Sequence, residues 1–102
     1  MYTATMRYYF KVENMVECIE KWEEDVLEVA EEQEGFIRMQ FLAKKDGEAM
    51  AIGTWDEKKY AEAFMKTGIF KKILEDFAPF MTKEPSPEIW TTVLYSEIDI
   101  DE

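Results

Sequence analysis

Arg7 stands in the middle of an alternating segment, residues 2–12, and is the first side chain that could do chemistry. In that segment Tyr2, Ala4, Met6, Tyr8, Phe10 and Val12 share one parity, and Thr3, Thr5, Arg7, Tyr9 and Lys11 share the other. A guanidinium placed mid-strand needs a carboxylate partner or an anionic ligand, because its charge is costly to desolvate alone. It is therefore either an internal ion pair with one of the many glutamates or an anchor for a carboxylate or phenolate substrate. Trp22, Trp55, Phe64, Phe70 and Phe77 are the aromatic residues that could line an apolar ligand pocket. Their plainer role is core packing, where aromatic residues on helical stripes usually go. Tyr8, Tyr9 and Tyr60 are phenols able to donate to a substrate oxygen or to pack at a pocket rim or seam. Met39, Met50 and Met65 either pad an adaptable cavity or fill gaps in a core. Cys18, beside an apolar helical stripe, reads as a small core hydrophobe.

What is missing narrows the chemistry further. The chain has no histidine, which removes the commonest general base near neutral pH and the commonest metal ligand. A Ser-His-Asp or Cys-His constellation is excluded, as is any histidine-based zinc site. The acidic runs Glu23-Glu24-Asp25 and Glu31-Glu32 lack the loop spacing of a calcium or magnesium site and read as a solvated helix face, so no metal is expected. With 12 Lys+Arg against 23 Asp+Glu, the net charge of −11 repels phosphate backbones and anionic lipid, which argues against a nucleic-acid or membrane partner. The apolar runs are too short to span a bilayer, and the N-terminus has no secretory pattern. A single cysteine fits a reducing cytoplasm.

These residues must be positioned by a small number of elements. In 102 residues with 47% hydrophobic content there is one domain and one core. Residues 2–12 read as a strand by their period of two. Asn14, with Glu17 three residues on, reads as a capping-box start. The helix that follows carries Met15, Ile19, Trp22, Val26 and Val29 on one stripe, widened by Cys18, Leu27 and Ala30, and stops at Gly35. A strand over 36–44 places Phe36, Arg38, Gln40 and Leu42 on one face and Ile37, Met39, Phe41 and Ala43 on the other. Asp46-Gly47 signals a hairpin into a third strand over 49–55. Asp56 caps a helix through Tyr60, Ala61, Phe64 and Met65. Thr67-Gly68 interrupts it, and a further helix carries Phe70, Ile73, Leu74 and Phe77 until Pro79 limits it. Pro85-Ser86-Pro87 is a rigid loop before a last strand from about 88 to 98, with a short acidic tail beyond. The order is β-α-β-β-α-β, an α+β ferredoxin-like pattern with an antiparallel sheet.

This order resembles that of the antibiotic biosynthesis monooxygenase-like family over nearly the whole chain. The resemblance is carried by Glu34-Gly35-Phe36 opening the second strand, Gly53-Thr54-Trp55-Asp56 closing the third, and Thr67-Gly68-Ile69-Phe70 between two broken helices. Glu34 stands where that family often has proline. The resemblance implies protomers that pair sheet against sheet into a dimeric α+β barrel. It also implies several activities: oxidation of electron-rich polycyclic phenols by O₂ without metal or flavin, heme degradation, or conversion of small quinones. The heme-degrading asparagine, tryptophan and histidine positions match Arg7, Phe64 and Leu74, and all three differ, so that branch is not implied for this chain.

Two functions stand side by side at this point. One is a cofactor-independent monooxygenase or related enzyme acting on an aromatic or quinol-type substrate, with Arg7, Tyr9, Trp22, Trp55, Phe64 and Phe70 as pocket candidates and no cofactor. Arg7 would favour the substrate anion and the aromatic residues would exclude water. The other is a non-catalytic ligand-binding or interaction homodimer of the same fold. A purely structural assembly domain is a third reading, which expects no cavity between helices and sheet. A homodimer is expected in each case, because a sheet covered by helices on one side leaves its other side, with residues such as Met6, Tyr8 and Phe10, for a partner.

Overall fold

The computed structural model describes residues 1–97. Four strands form one antiparallel sheet: β1 (Tyr2–Tyr9), β2 (Phe36–Ala43), β3 (Glu48–Trp55) and β4 (Ser86–Thr91). Their spatial order is β2-β3-β1-β4, so β1 and β3 are central. Between β1 and β2 runs one helical stretch, composed of α1 (Met15–Trp22), a π-helical segment Glu23–Leu27 and α2 (Glu28–Glu31). Between β3 and β4 lie α3 (Lys58–Met65), α4 (Ile69–Phe77) and a 3₁₀ turn Ala78–Phe80. This is the ferredoxin-like α+β arrangement that the order of elements predicts, with all helices on one face of the sheet.

The alternation of β1 sorts as two faces, but the face under the helices is the reverse of the expected one. Met6, Tyr8 and Phe10 are buried in the core between sheet and helices. The open face carries the other parity, Thr3, Thr5, Arg7 and Tyr9, all half-buried. Period two separates two sets of side chains without saying which set meets the helices. In β1 the set with the larger apolar side chains took the core, and Arg7 took the face where a charge stays hydrated. The strand also ends sooner than expected. Phe10 forms only an isolated bridge to Met81, and Val12–Asn14 is a 3₁₀ turn.

The first helical stretch buries Cys18, Trp22, Val26 and Ala30. That row advances by four residues, which in an α-helix of 3.6 residues per turn drifts about 40° at each step. The π-helical segment, wider per turn, keeps the row on the core. The expected stripe residues Met15, Ile19 and Val29 flank this row half-buried. Asn14 does not cap the backbone: its amide donates to Glu17 Oε1 at 2.5 Å. Asp56 does not cap α3 either. Glu57 holds that position without a side-chain bond, and the Asp56 N–H donates to Gly35 O.

Strand β2 contains a bulge between Phe36 and Arg38. The bulge moves Phe36 to the same side as Met39 and Phe41, where all three pack against the core. The strict two-face division expected for β2 therefore fails at its first residue. The last strand is shorter than expected and fully on the edge. After Thr91 the chain crosses the open face near the start of β2, where Glu97 Oε1 accepts from Arg38 Nη2 at 2.6 Å and Arg38 lies over the Tyr95 ring. Residue 98 of the expected strand lies outside the described residues.

Candidate functional site

Between the sheet and α3 and α4 lies a cavity of 320 Å³ with walls that are almost entirely apolar. Its aromatic wall is a chain of ring contacts. Trp55 meets Phe64 with centroids 5.1 Å apart, and Phe64 meets Phe70 edge-on at 5.2 Å. Trp22 closes the far side from α1. The elements explain why these four converge. Trp55 is the last residue of β3 and points under the helices, and Phe64 lies on the buried face of α3. Gly68, with φ of 85°, turns the chain so that α4 brings Phe70 back against Phe64. Thr67 stabilises the junction: its hydroxyl donates to Phe64 O at 2.7 Å and accepts from Ile69 N–H at 3.3 Å.

The sheet supplies a floor of small residues, which composition alone did not reveal. Ala4 pairs across the ladder with Gly53, and Met6 with Ala51. Ala4, Ala51 and Gly53 all line the cavity, with Ala61 contributing from α3. The void exists because three neighbouring floor positions carry at most one side-chain carbon. The period of two places Ala51 and Gly53 on one face; their pairing partners on β1 are not readable without the register.

Of the sequence-predicted site residues, Trp22, Trp55, Phe64 and Phe70 are brought together in this cavity. Arg7 and Tyr9 are not. Both project from the open face of the sheet. Arg7 is partly buried, as its place on a central strand predicts: its side chain is 38% exposed and it pairs with Glu48. Lys44 Nζ reaches the second oxygen of Glu48 at 3.3 Å. These cations, Arg7 first, hold the Glu48 carboxyl below its ordinary range. The ion-pair reading of Arg7 thus describes its surroundings, and an anchor inside the apolar cavity does not. Tyr9 lies under the Lys83 ammonium, 5.0 Å from the ring centroid.

Behind the cavity is a polar pair that the alternation could not flag. Tyr8 OH and Trp22 Nε1 are buried, and neither has a hydrogen bond of good geometry. Burial pushes the Tyr8 phenol well up, and the neighbouring Trp22 N–H offsets this only partly. Tyr8 is wedged among Phe10, Phe41 and Phe77. Burial, with the Glu17 carboxylate beside it, likewise raises the Cys18 thiol, which keeps it protonated and inert. Among the described residues no cluster of three Cys, Asp or Glu side chains is placed to hold a metal ion, and no helix is long and apolar enough to cross a membrane.

A four-stranded antiparallel sheet with helices on one face and a cavity beneath them defines the class: a ferredoxin-like α+β protein with an internal apolar site. Its structural neighbours are antibiotic biosynthesis monooxygenase-like proteins. The monooxygenase from the gene ActVA-Orf6 of Streptomyces coelicolor, solved with nanaomycin D, matches with a TM-score of 0.77 at 14% identity, over 96% of this chain and 92% of that one. SnoaB, a cofactor-independent oxygenase from Streptomyces nogalater in its N63A form, matches at 0.69 and 15% identity over 92% and 94%. A further antibiotic biosynthesis monooxygenase matches at 0.75 and 11% identity, over 92% of this chain and 100% of that one. No family model matches the sequence, and no curated protein matches it. At these identities the likeness describes the fold.

Proposed function

We propose that this protein binds an aromatic or quinol-type small molecule in the cavity beneath its helices, and that it acts as a cofactor-independent monooxygenase on that compound. The observation that carries the binding role is the cavity itself: 320 Å³, walled by Trp22, Trp55, Phe64 and Phe70. That size and composition are those of a small-molecule site. The reaction is supported by the likeness in fold to proteins that carry out such oxygenations. Its balance is simple: one O₂ converts a ring methylene of an anthrone-type compound to a carbonyl and releases one water. The site's part is to exclude water and to orient the ring.

A second reading, non-catalytic binding, is favoured by one specific observation. Among the described residues the one ionisable group on the cavity lining, Glu88, is exposed at the rim, and Tyr8, the phenol nearest Trp22, is buried and held protonated. In either reading the protein works as a homodimer joined through the open sheet face. Leu42 and Trp90, 49% and 52% exposed on that face, support this. Oxygen uptake with a panel of anthrones and hydroquinones, measured against a blank without protein, separates the two. Uptake proportional to protein supports the monooxygenase. Thermal stabilisation by the same compounds without uptake supports the binding protein. Neither effect with any compound would remove both.

A further inference from the structure

Three of the seven methionines meet at the cavity, each from a different element: Met6 from β1, Met39 from β2 and Met65 from α3. A thioether sulfur is soft and polarizable, and its lone pair can take an oxygen atom. Met6 is only 5% exposed and closed into the core. Met39 and Met65 are half-buried and line the void. Beside edge strand β4 the lining residues Pro87 and Ile89 are exposed, so the cavity reaches solvent there. Hydrogen peroxide is small and neutral. It enters without the desolvation cost of an ion and without repulsion by a net charge of −11.

Met39 also has room for the product. Its methyl occupies the niche that Gly53 leaves: a Cβ there would stand 2.9 Å from Met39 Cε and 3.3 Å from Trp55 Nε1. The thioether and the Trp55 indole N–H therefore flank one gap beside the void. An oxygen added to the sulfur gains a donor in that N–H, which softens the cost of placing it in apolar surroundings. Met15 is the natural comparison, because it is half-buried against the same core but lies off the cavity lining.

We infer that Met39 and Met65 form a peroxide-modification site, and that their sulfoxides switch the cavity from apolar to polar and release its occupant. The second half rests on the binding role proposed above. In the step, the peroxide O–O bond breaks and one oxygen bonds to sulfur. Sulfur is oxidised by two electrons, and the other oxygen leaves as water with both peroxide protons. The change is reversible by a methionine sulfoxide reductase.

The full chain is treated with hydrogen peroxide at pH 7, and oxygen gain at each methionine is followed by peptide mass spectrometry. Met39 and Met65 should oxidise on the order of fivefold faster than Met15. After treatment the chain should still melt cooperatively, and 9-fluorenone, followed by tryptophan fluorescence, should bind at least about tenfold more weakly. Sulfoxide reductase should restore the affinity. In Met39→Leu/Met65→Leu, a volume-conserving change, peroxide should alter the variant's own affinity by less than about twofold. If that variant does not fold by its melting curve, indole ¹H–¹⁵N resonances of the unmodified chain decide. That of Trp55 should shift as Met39 oxidises, and a stationary Trp55 would overturn the placement of the new oxygen. Oxidation of Met39 and Met65 no faster than Met15 would overturn the modification site. Complete oxidation with unchanged fluorenone affinity, or with loss of the fold, would overturn the switch. Failure of fluorenone to bind the untreated chain would overturn the binding role, while the oxidation rates still decide the site.

Discussion

Tyr8 shows how much one side chain's surroundings decide. Its ring is fully buried between Phe10, Phe41 and Phe77, and its hydroxyl has no well-formed partner. Removing an unsatisfied buried hydroxyl is close to neutral or stabilising. Tyr8→Phe is therefore expected to hold or raise the stability at pH 7 by about 1 kcal/mol or less, read by urea denaturation. A loss above about 2 kcal/mol would mean that the hydroxyl does have a partner. The pH dependence has a definite sign. Burial raises the folded-state phenol above its ordinary value of 10.0, so the folded chain keeps the proton when the unfolded chain loses it. The contribution of Tyr8 is complete below that pH and falls away as pH rises past it. The phenylalanine variant should accordingly resist alkaline unfolding to a higher pH. Arg7 makes the opposite case, a conspicuous charge with a local role. Paired with Glu48 on the open face, it lies outside the cavity. Arg7→Met is expected to leave fluorenone affinity within about twofold, whereas a loss above tenfold would place Arg7 at the ligand.

At the scale of elements, two glycines make a comparison. Gly35 ends the first helical stretch with φ of 77°, and a Cβ there would sit 2.1 Å from a Tyr60 ring carbon. Gly68 has φ of 85°, but open space surrounds it. Both substitutions to alanine cost about 1–2 kcal/mol from the left-handed backbone. Gly35→Ala must also displace Tyr60, so its loss on urea denaturation should be clearly the larger. Equal losses would show that Tyr60 moves freely. Much of this scale was legible in the sequence. The element order, the glycine stops and the broken helix at Thr67-Gly68 all follow from periodicity and backbone rules. What was not legible came from pairing between distant residues. The inward face of β1, the bulge at Phe36–Arg38 and the floor made by Ala4 opposite Gly53 depend on register and on which side the helices pack. The four aromatic wall residues were found because each is large and lies on an apolar stripe. Arg7 and Tyr9 were included on residue type, and their parity puts them on the other face.

For the whole molecule, the helices cover one side of the sheet and the open side remains. It mixes Thr3, Thr5 and the Arg7–Glu48 pair with Met50, Ile52, Leu42 and Trp90. The proposed homodimer buries this side against a second copy. Sedimentation at micromolar protein should give the mass of two chains, and Ile52→Glu should shift it toward one. Two copies, each with a net charge of −11, repel one another, so added salt should strengthen the association. A stable monomer at every salt concentration would contradict the pairing.

The three tryptophans test the central claim within one spectrum. Trp22 and Trp55 line the cavity, while Trp90 lies on the open face with its indole N–H donating to Thr5 Oγ1 at 3.1 Å. In a two-dimensional ¹H–¹⁵N titration with 9-fluorenone, the indole resonances of Trp22 and Trp55 should move together and saturate while that of Trp90 stays in place. Movement of Trp90 alone would put the ligand on the other side of the sheet and contradict an internal site.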